Sequence, residues 1–134
     1  MTATSGTTPS AASVAVDLPA GFHCHVTNVG VKDETDDFVV VAADHRVPSA
    51  GLFTKSRFAG PSVLVSREHV ADGYAAAVVV ISKNANVATG ADGHAHAVEV
   101  ATRVAERLGC DPTDVLVTST GVIGRRYPIE RIRA

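Results

Sequence analysis

The sequence predicts an α/β domain, and three observations carry that reading. Short apolar runs at Phe38–Ala42, Ala77–Ser82 and Val115–Val117 have the length and the Val/Ala content of strands covered on both faces. One longer stretch, Asp92 to Leu108, switches to a helical period. Aromatic residues are 4% of the chain and Trp is absent, so the core must be built from small aliphatic side chains, which favour sheets. At 134 residues the chain holds one domain of ordinary size.

Residues 1–13, rich in Thr, Ser and Ala, read as a flexible tail, and residues 14–134 as the folded portion. Phe22 to Val29 alternates as a strand, with Phe22, Cys24 and Val26 on one face and His23, His25 and Thr27 on the other. Asp33 to Asp37 is an acidic turn before the run at Phe38, and Asp44 to Pro48 is expected to break that run. Gly51–Leu52–Phe53–Thr54 reads as a third strand and Ser62 to Ser66 as extended. Arg67 to Ala71 reads as one helical turn closed by Asp72–Gly73. A polar loop, Lys83 to Gly90, follows the clearest buried strand. In the helix after it, His94, Ala97, Val98, Ala101, Ala105 and Leu108 are expected to face inward. His96, Glu99, Arg103 and Arg107 face outward, and Gly109 is the natural stop. Pro128 opens a last helix with Ile129 and Ile132 as an apolar pair. The end at Ala134, inside that helix, is expected of a sequence cut within an element.

Charge and composition exclude several classes. Twelve basic against 14 acidic residues give a formal charge of −2, which is not a nucleic-acid footprint. The longest apolar run, Ala75 to Ile81, falls far short of the ~20 residues a spanning helix needs. No cationic flank precedes an apolar run at the N-terminus, so a cytoplasmic setting with reduced thiols is expected. Cys24 and Cys110 fit no CxxC spacing.

The histidines offer one metal reading. His23 and His25 lie two apart on a strand face and can share an ion, whereas His94 and His96 diverge on a helix. No carboxylate or cysteine sits at a supporting zinc spacing, and solvated or hydrogen-bonded histidines are the alternative. Thr89–Gly90–Ala91–Asp92–Gly93 lacks both GxxxxGK[ST] and GxGxxG, and reads equally as a helix start capped by Asp92 or a neighbour. A second polar loop, Ser119–Thr120–Gly121–Val122–Ile123–Gly124, also follows a buried strand. There Thr120 offers a hydroxyl and Gly121 an unscreened N–H, the kind of pair that donates to a developing oxyanion. No nucleophile–base pair is evident from spacing.

Taken together, these loops resemble the glutamate/ornithine N-acetyltransferases of arginine biosynthesis. The resemblance rests on Asp36–Asp37–Phe38, Gly51 to Thr54, Gly60–Pro61, Asn84–Ala85–Asn86–Val87–Ala88–Thr89–Gly90 and Ser119 to Gly124. It runs from about Gly21 to the end of the chain. The stretches Ser56 to Leu64 and Gly121 to Arg133 look especially like the variant found in clavulanic acid gene clusters.

The resemblance implies a layered αββα sandwich of the ornithine acetyltransferase and β-peptidyl aminopeptidase type, incomplete in this chain. It implies a precursor that cleaves itself before a threonine, so that the N-terminal threonine of a partner β chain becomes the nucleophile. That threonine carries an acetyl group from N-acetylornithine to glutamate without metal or coenzyme, within an α/β heterooligomer. It further implies Thr120 and Gly121 as the oxyanion hole, with Asn84, Asn86, Thr89 and Gly90 supporting the substrate loop. The nucleophile is not in this chain, and no nucleic acid or membrane partner is implied. One departure stands out: the family's Asn-Ser-Gly before Asn-Ala-Asn is Ile81–Ser82–Lys83 here. Two alternatives to acetyl transfer remain, an amidase or aminopeptidase-like subunit of the same fold and a non-catalytic interaction domain.

Overall fold

Strands form where the apolar runs are longest. The computed structural model describes residues 18–133, so the expected tail at 1–13 lies outside the described residues. Strands β1 (Phe22–Thr27), β2 (Phe38–Pro48), β3 (Tyr74–Ile81) and β4 (Val115–Ser119) form one sheet in that order. The first three are antiparallel and β4 runs parallel to β3. Helices α1 (Pro61–His69), α2 (Gly90–Leu108) and α3 (Ile129–Arg133) complete the α/β domain, with short 3₁₀ turns at Val70–Asp72 and Pro112–Asp114. Among the described residues no helix is long and apolar enough to cross a membrane.

The core lies between one sheet face and α2. Ala77, Val79 and Ile81 of β3 and Val115 and Val117 of β4 pack on Val100, Ala101, Val104 and Ala105, and Ile129 and Ile132 of α3 close one side. The opposite face carries Val39 and Val41 opposite Val80 and Val78, with Val26 and Phe22 exposed beyond them. The apolar runs call for cover on both faces, and among the described residues the helices cover only one. The sheet and its helical layer thus form part of a layered sandwich, as the incomplete fold expected of this chain requires.

Four expectations are corrected. Asp44–Pro48 does not end β2: the ladder passes from Ala42↔Ala77 to Val47↔Ala75, a bulge that absorbs the polar residues Asp44, His45 and Arg46. The bulge also aims Arg46 at Asp114 and Asp72. Gly51–Thr54 is not a strand; it has no neighbour to pair with, and Leu52 is fully exposed. Ser62–Ser66 is helical rather than extended, because Pro61 starts α1 at its first turn. Finally, α2 is rotated from the expected phase: Val100 and Val104 are buried, while His94, Val98 and Leu108 are exposed. The helix also begins two residues early, at Gly90, and ends at Gly109 with φ 72° as expected.

The phase and placement of α1 have a polar cause. Among the described residues the outer edge of β4 has no neighbouring strand, so its N–H and C=O groups need other partners. Ser66 accepts from the Val117 N–H at 2.8 Å and donates to the Val117 carbonyl at 2.7 Å. One turn further on, His69 donates from Nδ1 to the Val115 carbonyl at 2.8 Å. One turn earlier, Ser62 meets the Ser119 hydroxyl at 2.7 Å. A polar stripe at helical spacing thus lies along a strand edge at strand spacing.

A second tie holds α3. Glu99 accepts from Arg103 at 3.0 Å and from Arg133 at 2.7 Å, which fastens α3 to α2. A buried carboxylate, Asp37, accepts the N–H groups of Val29 and Val31 and so shapes the turn between β1 and β2.

Two outcomes follow from these ties. Ser66→Ala strands two buried backbone groups and should cost about 1–3 kcal/mol, read as a lower urea midpoint at unchanged slope; an unchanged midpoint would remove Ser66 from the edge. Arg133, and secondarily Arg103, hold the Glu99 carboxyl down to about 2 from its usual 4.5. Because the folded value is the lower one, this contribution is complete above pH 4.5 and is lost as pH falls through 2. Glu99→Gln should therefore flatten the acid limb of the stability–pH curve, and parallel curves for the two proteins would refute it.

Candidate active site

Because β3 and β4 are parallel, both end at the same side of the sheet, and the loops that leave them lie together. Their pairing continues past the strands. Thr120 N–H donates to the Ile81 carbonyl at 3.0 Å, and Val122 N–H to the Lys83 carbonyl at 3.3 Å. Ala85 N–H donates to the Val122 carbonyl at 3.0 Å and Gly124 N–H to the Val87 carbonyl at 2.8 Å. Asn84 and Val122 form an isolated parallel bridge. The two sequence-predicted loops are thereby joined into one structure.

The first loop is held from inside by its amides. Asn84 Oδ1 accepts the Asn86 N–H at 2.8 Å, and Asn84 Nδ2 reaches the Arg126 carbonyl at 3.0 Å. Asn86 donates to the Gly93 carbonyl at 2.9 Å and accepts the Thr89 hydroxyl at 2.8 Å. All three side chains are buried. This wiring holds Lys83, Asn86 and Ala88 at φ 71°, 49° and 59°, and these are the only non-glycine residues with positive φ among those described. Backbone strain so concentrated marks a functional loop more often than a structural one. Gly90, at φ 65°, opens α2 and has open space around it. Thr89 is the residue before the helix, yet its hydroxyl serves Asn86 and not the helix N–H groups. Asp92 does not cap the helix either; it pairs with Arg126 at 2.8 Å.

In the second loop, Thr120 and Gly121 are exposed at the seam. The Thr120 N–H is taken by Ile81, but among the described residues neither the Thr120 hydroxyl nor the Gly121 N–H has an intramolecular partner. Gly121 has φ 133°, and a Cβ there would sit 2.2 Å from the Lys83 carbonyl carbon. Only glycine allows the two loops to approach this closely. The result is an O–H and an N–H, one residue apart, on a backbone that cannot swing.

Several candidates do not join the site. His23 bonds to Asp44 at 2.6 Å on the far strand, and among the described residues no group of three or more metal-ligating side chains exists. Cys24 and Cys110 are free. At the two loops no hydroxyl is paired with a histidine or a carboxylate. A groove of about 420 Å³ between β1–β2 and α2, lined by residues such as His25, Val40 and Val104, shares no residue with the loops.

Four contributors escape a sequence reading. Lys83 anchors the seam to the β1–β2 turn through Asp33 at 2.6 Å, an ion pair that holds the Asp33 carboxyl well below its usual range. Gly93 leaves room for Thr89, since a Cβ there would lie 1.8 Å from the Thr89 hydroxyl oxygen. Ser62 and Tyr127 lie beneath Ser119. The one available signal was Gly93, a glycine inside a helical period where alanine would serve better.

Comparison with known proteins bears on the family and the fold. The ArgJ family model matches residues 23–134. The arginine biosynthesis bifunctional protein ArgJ 2 of Nostoc sp. is 50% identical over 120 residues, which is 90% of this chain and 31% of that protein. Glutamate N-acetyltransferase Oat2 of Streptomyces clavuligerus is 52% identical over 116 residues, 86% of this chain and 30% of that protein. The chain thus spans about a third of the length of these curated relatives. Two crystal structures share the fold. The ArgJ protein of Bacillus halodurans has a TM-score of 0.81 at 31% identity, over 84% of this chain and 60% of that one. The ornithine acetyltransferase of Mycobacterium tuberculosis, complexed with ornithine, has a TM-score of 0.80 at 30% identity, over 85% and 63%. With the model matched along nearly all of the described sheet, helices and loops, the chain belongs to the ArgJ family.

Proposed function

We propose that this chain is the N-terminal portion of the α chain of a glutamate/ornithine N-acetyltransferase, and that it supplies the oxyanion hole. The observation that carries the reading is the pair of unengaged donors, the Thr120 hydroxyl and the Gly121 N–H, held on the strained seam between the loops. Asn84, Asn86, Thr89 and Gly90 act on substrate only through the shape of that seam. The nucleophile comes from a β chain released by self-cleavage, whose N-terminal threonine pairs its hydroxyl with its own α-amine as base.

In the first half-reaction the β-chain hydroxyl oxygen attacks the acetyl carbonyl of N-acetylornithine, giving its proton to the α-amine. The carbonyl oxygen becomes an oxyanion, to which Thr120 and Gly121 donate. The tetrahedral centre collapses, ornithine leaves with the proton, and the acetyl group remains as an ester. In the second half-reaction the glutamate amine attacks the ester carbonyl and gives a proton to the threonine α-amine, while the same donors hold the new oxyanion. The ester C–O bond then breaks, the threonine oxygen takes that proton back, and N-acetylglutamate leaves. Donors already fixed in place need no reorganisation as the charge forms, which makes them more valuable in the transition state than in the ground state. The reading extends to the variant found in clavulanic acid gene clusters, which the stretches Ser56 to Leu64 and Gly121 to Arg133 resemble.

In the complete enzyme, Thr120→Ala should lower kcat by ~10²–10³ with KM little changed, measured as N-acetylglutamate formed from N-acetylornithine. Gly121→Ala should abolish turnover, because the added methyl collides with the Lys83 backbone. Following free acetate alongside separates transfer from hydrolysis. Near-normal turnover by Thr120→Ala would remove the residue from the site, and acetate without N-acetylglutamate would assign an amidase instead.

A further inference from the structure

Three hydroxyls meet beneath the seam. Ser62 and Tyr127 are each 3% exposed. The Ser62 oxygen lies 2.7 Å from that of Ser119 and 3.2 Å from that of Tyr127, and the Ser119 and Tyr127 oxygens are bonded to each other. One phenol oxygen thus ties α1 to the end of β4. Burial pushes that phenol above its ordinary pKa, so it stays a neutral hydroxyl able both to donate and to accept.

The cluster is out of keeping with its surroundings. The core beside it is aliphatic, built from Val and Ala with Ile81. Packing alone would be served by Phe at 127 and Ala at 62, without the cost of burying polar groups. What a satisfied buried polar set adds is one geometry in place of several. Ser119 is the residue before Thr120, and the Thr120 N–H is itself held by Ile81. With the Ser119 side chain and the following N–H both fastened, the Thr120 hydroxyl and the Gly121 N–H keep one direction.

We propose that Tyr127 and Ser62 are positioning residues for the oxyanion-stabilising pair, acting through Ser119 on the aim of Thr120 and Gly121. This rests on the oxyanion reading above, and it adds residues that touch neither substrate nor nucleophile. Tyr127→Phe keeps the ring and its packing and removes one oxygen. A donor pair set slightly off line loses transition-state contact while substrate binding is retained.

The test is a cycle in the complete acetyltransferase that contains this chain, with Tyr127→Phe, Thr120→Ala and the double variant, beside Ser62→Ala and Ser62→Thr. Tyr127→Phe should lower kcat by about 10-fold to 10²-fold with KM for N-acetylornithine within about two-fold. Added to Thr120→Ala it should cost clearly less than it does alone, because the part of its effect that passes through the Thr120 hydroxyl is already removed and only the aim of Gly121 is left to lose. Ser62→Thr should recover activity that Ser62→Ala loses. Thermal midpoints distinguish a role in stability alone. A Tyr127→Phe enzyme at normal kcat, a loss that multiplies with that of Thr120→Ala, or a loss that tracks only the folded fraction overturns the positioning role. If Thr120→Ala itself turns over normally, the oxyanion reading fails and this one with it. A slow Thr120→Ala beside a normal Tyr127→Phe overturns this one alone.

Discussion

The parallel pairing of β3 with β4 is the constraint on which the rest depends. An antiparallel pair would send its two following loops to opposite ends of the sheet. A parallel pair delivers both to one end, at the spacing of neighbouring strands. The crossover this requires is α2, which also brings Val100, Ala101, Val104 and Ala105 to the inner core. Strand pairing and helix burial therefore establish, without any site-specific interaction, that Asn84 and Val122 will meet. What remains for the loops is to hold a sharper shape, and the buried amides of Asn84 and Asn86 do that beside the backbone pairing that continues past the strands.

The strands were legible because burial imposes a simple demand: the runs at Phe38, Ala77 and Val115 are apolar at every position along the pleat. The two polar loops were legible by motif, and the structure brings them together. The first half of α1 was not legible, because Ser-Val-Leu-Val-Ser is a short β-branched apolar run such as a strand also shows. Its serines are buried for their hydrogen bonds to β4, not excluded from the core, and no local period reports a partner some fifty residues away. The phase of α2 was misjudged for a related reason. Ala97, Ala101 and Ala105 let the backbone approach the sheet, so Val100 and Val104 turn inward with them and Val98 is left outside. Lys83, Ser62 and Tyr127 are likewise invisible locally, since each acts through contacts with distant segments.

The loop chemistry and the edge chemistry converge at the N-terminal turn of α1. Gly60 lies against the carbonyl of Asn86, where a Cβ would come within 3.1 Å, and Ser62 follows two residues later beneath Ser119. The same helix then continues along β4 through Ser66 and His69. A displacement of α1 would therefore be felt both by the sheet margin and by the seam. This coupling explains why so short a helix, with few apolar side chains to bury, is nevertheless tightly placed.

The occupied margin of β4 makes the sheet directional. A strand approaching from that side would find the carbonyls of Val115 and Val117 already engaged by side chains and a helix in its path. At the other margin β1 pairs only with β2, leaving half of its backbone groups without a strand neighbour among the described residues. Any widening of this sheet, whether by another stretch of polypeptide or by a second molecule, must begin at β1.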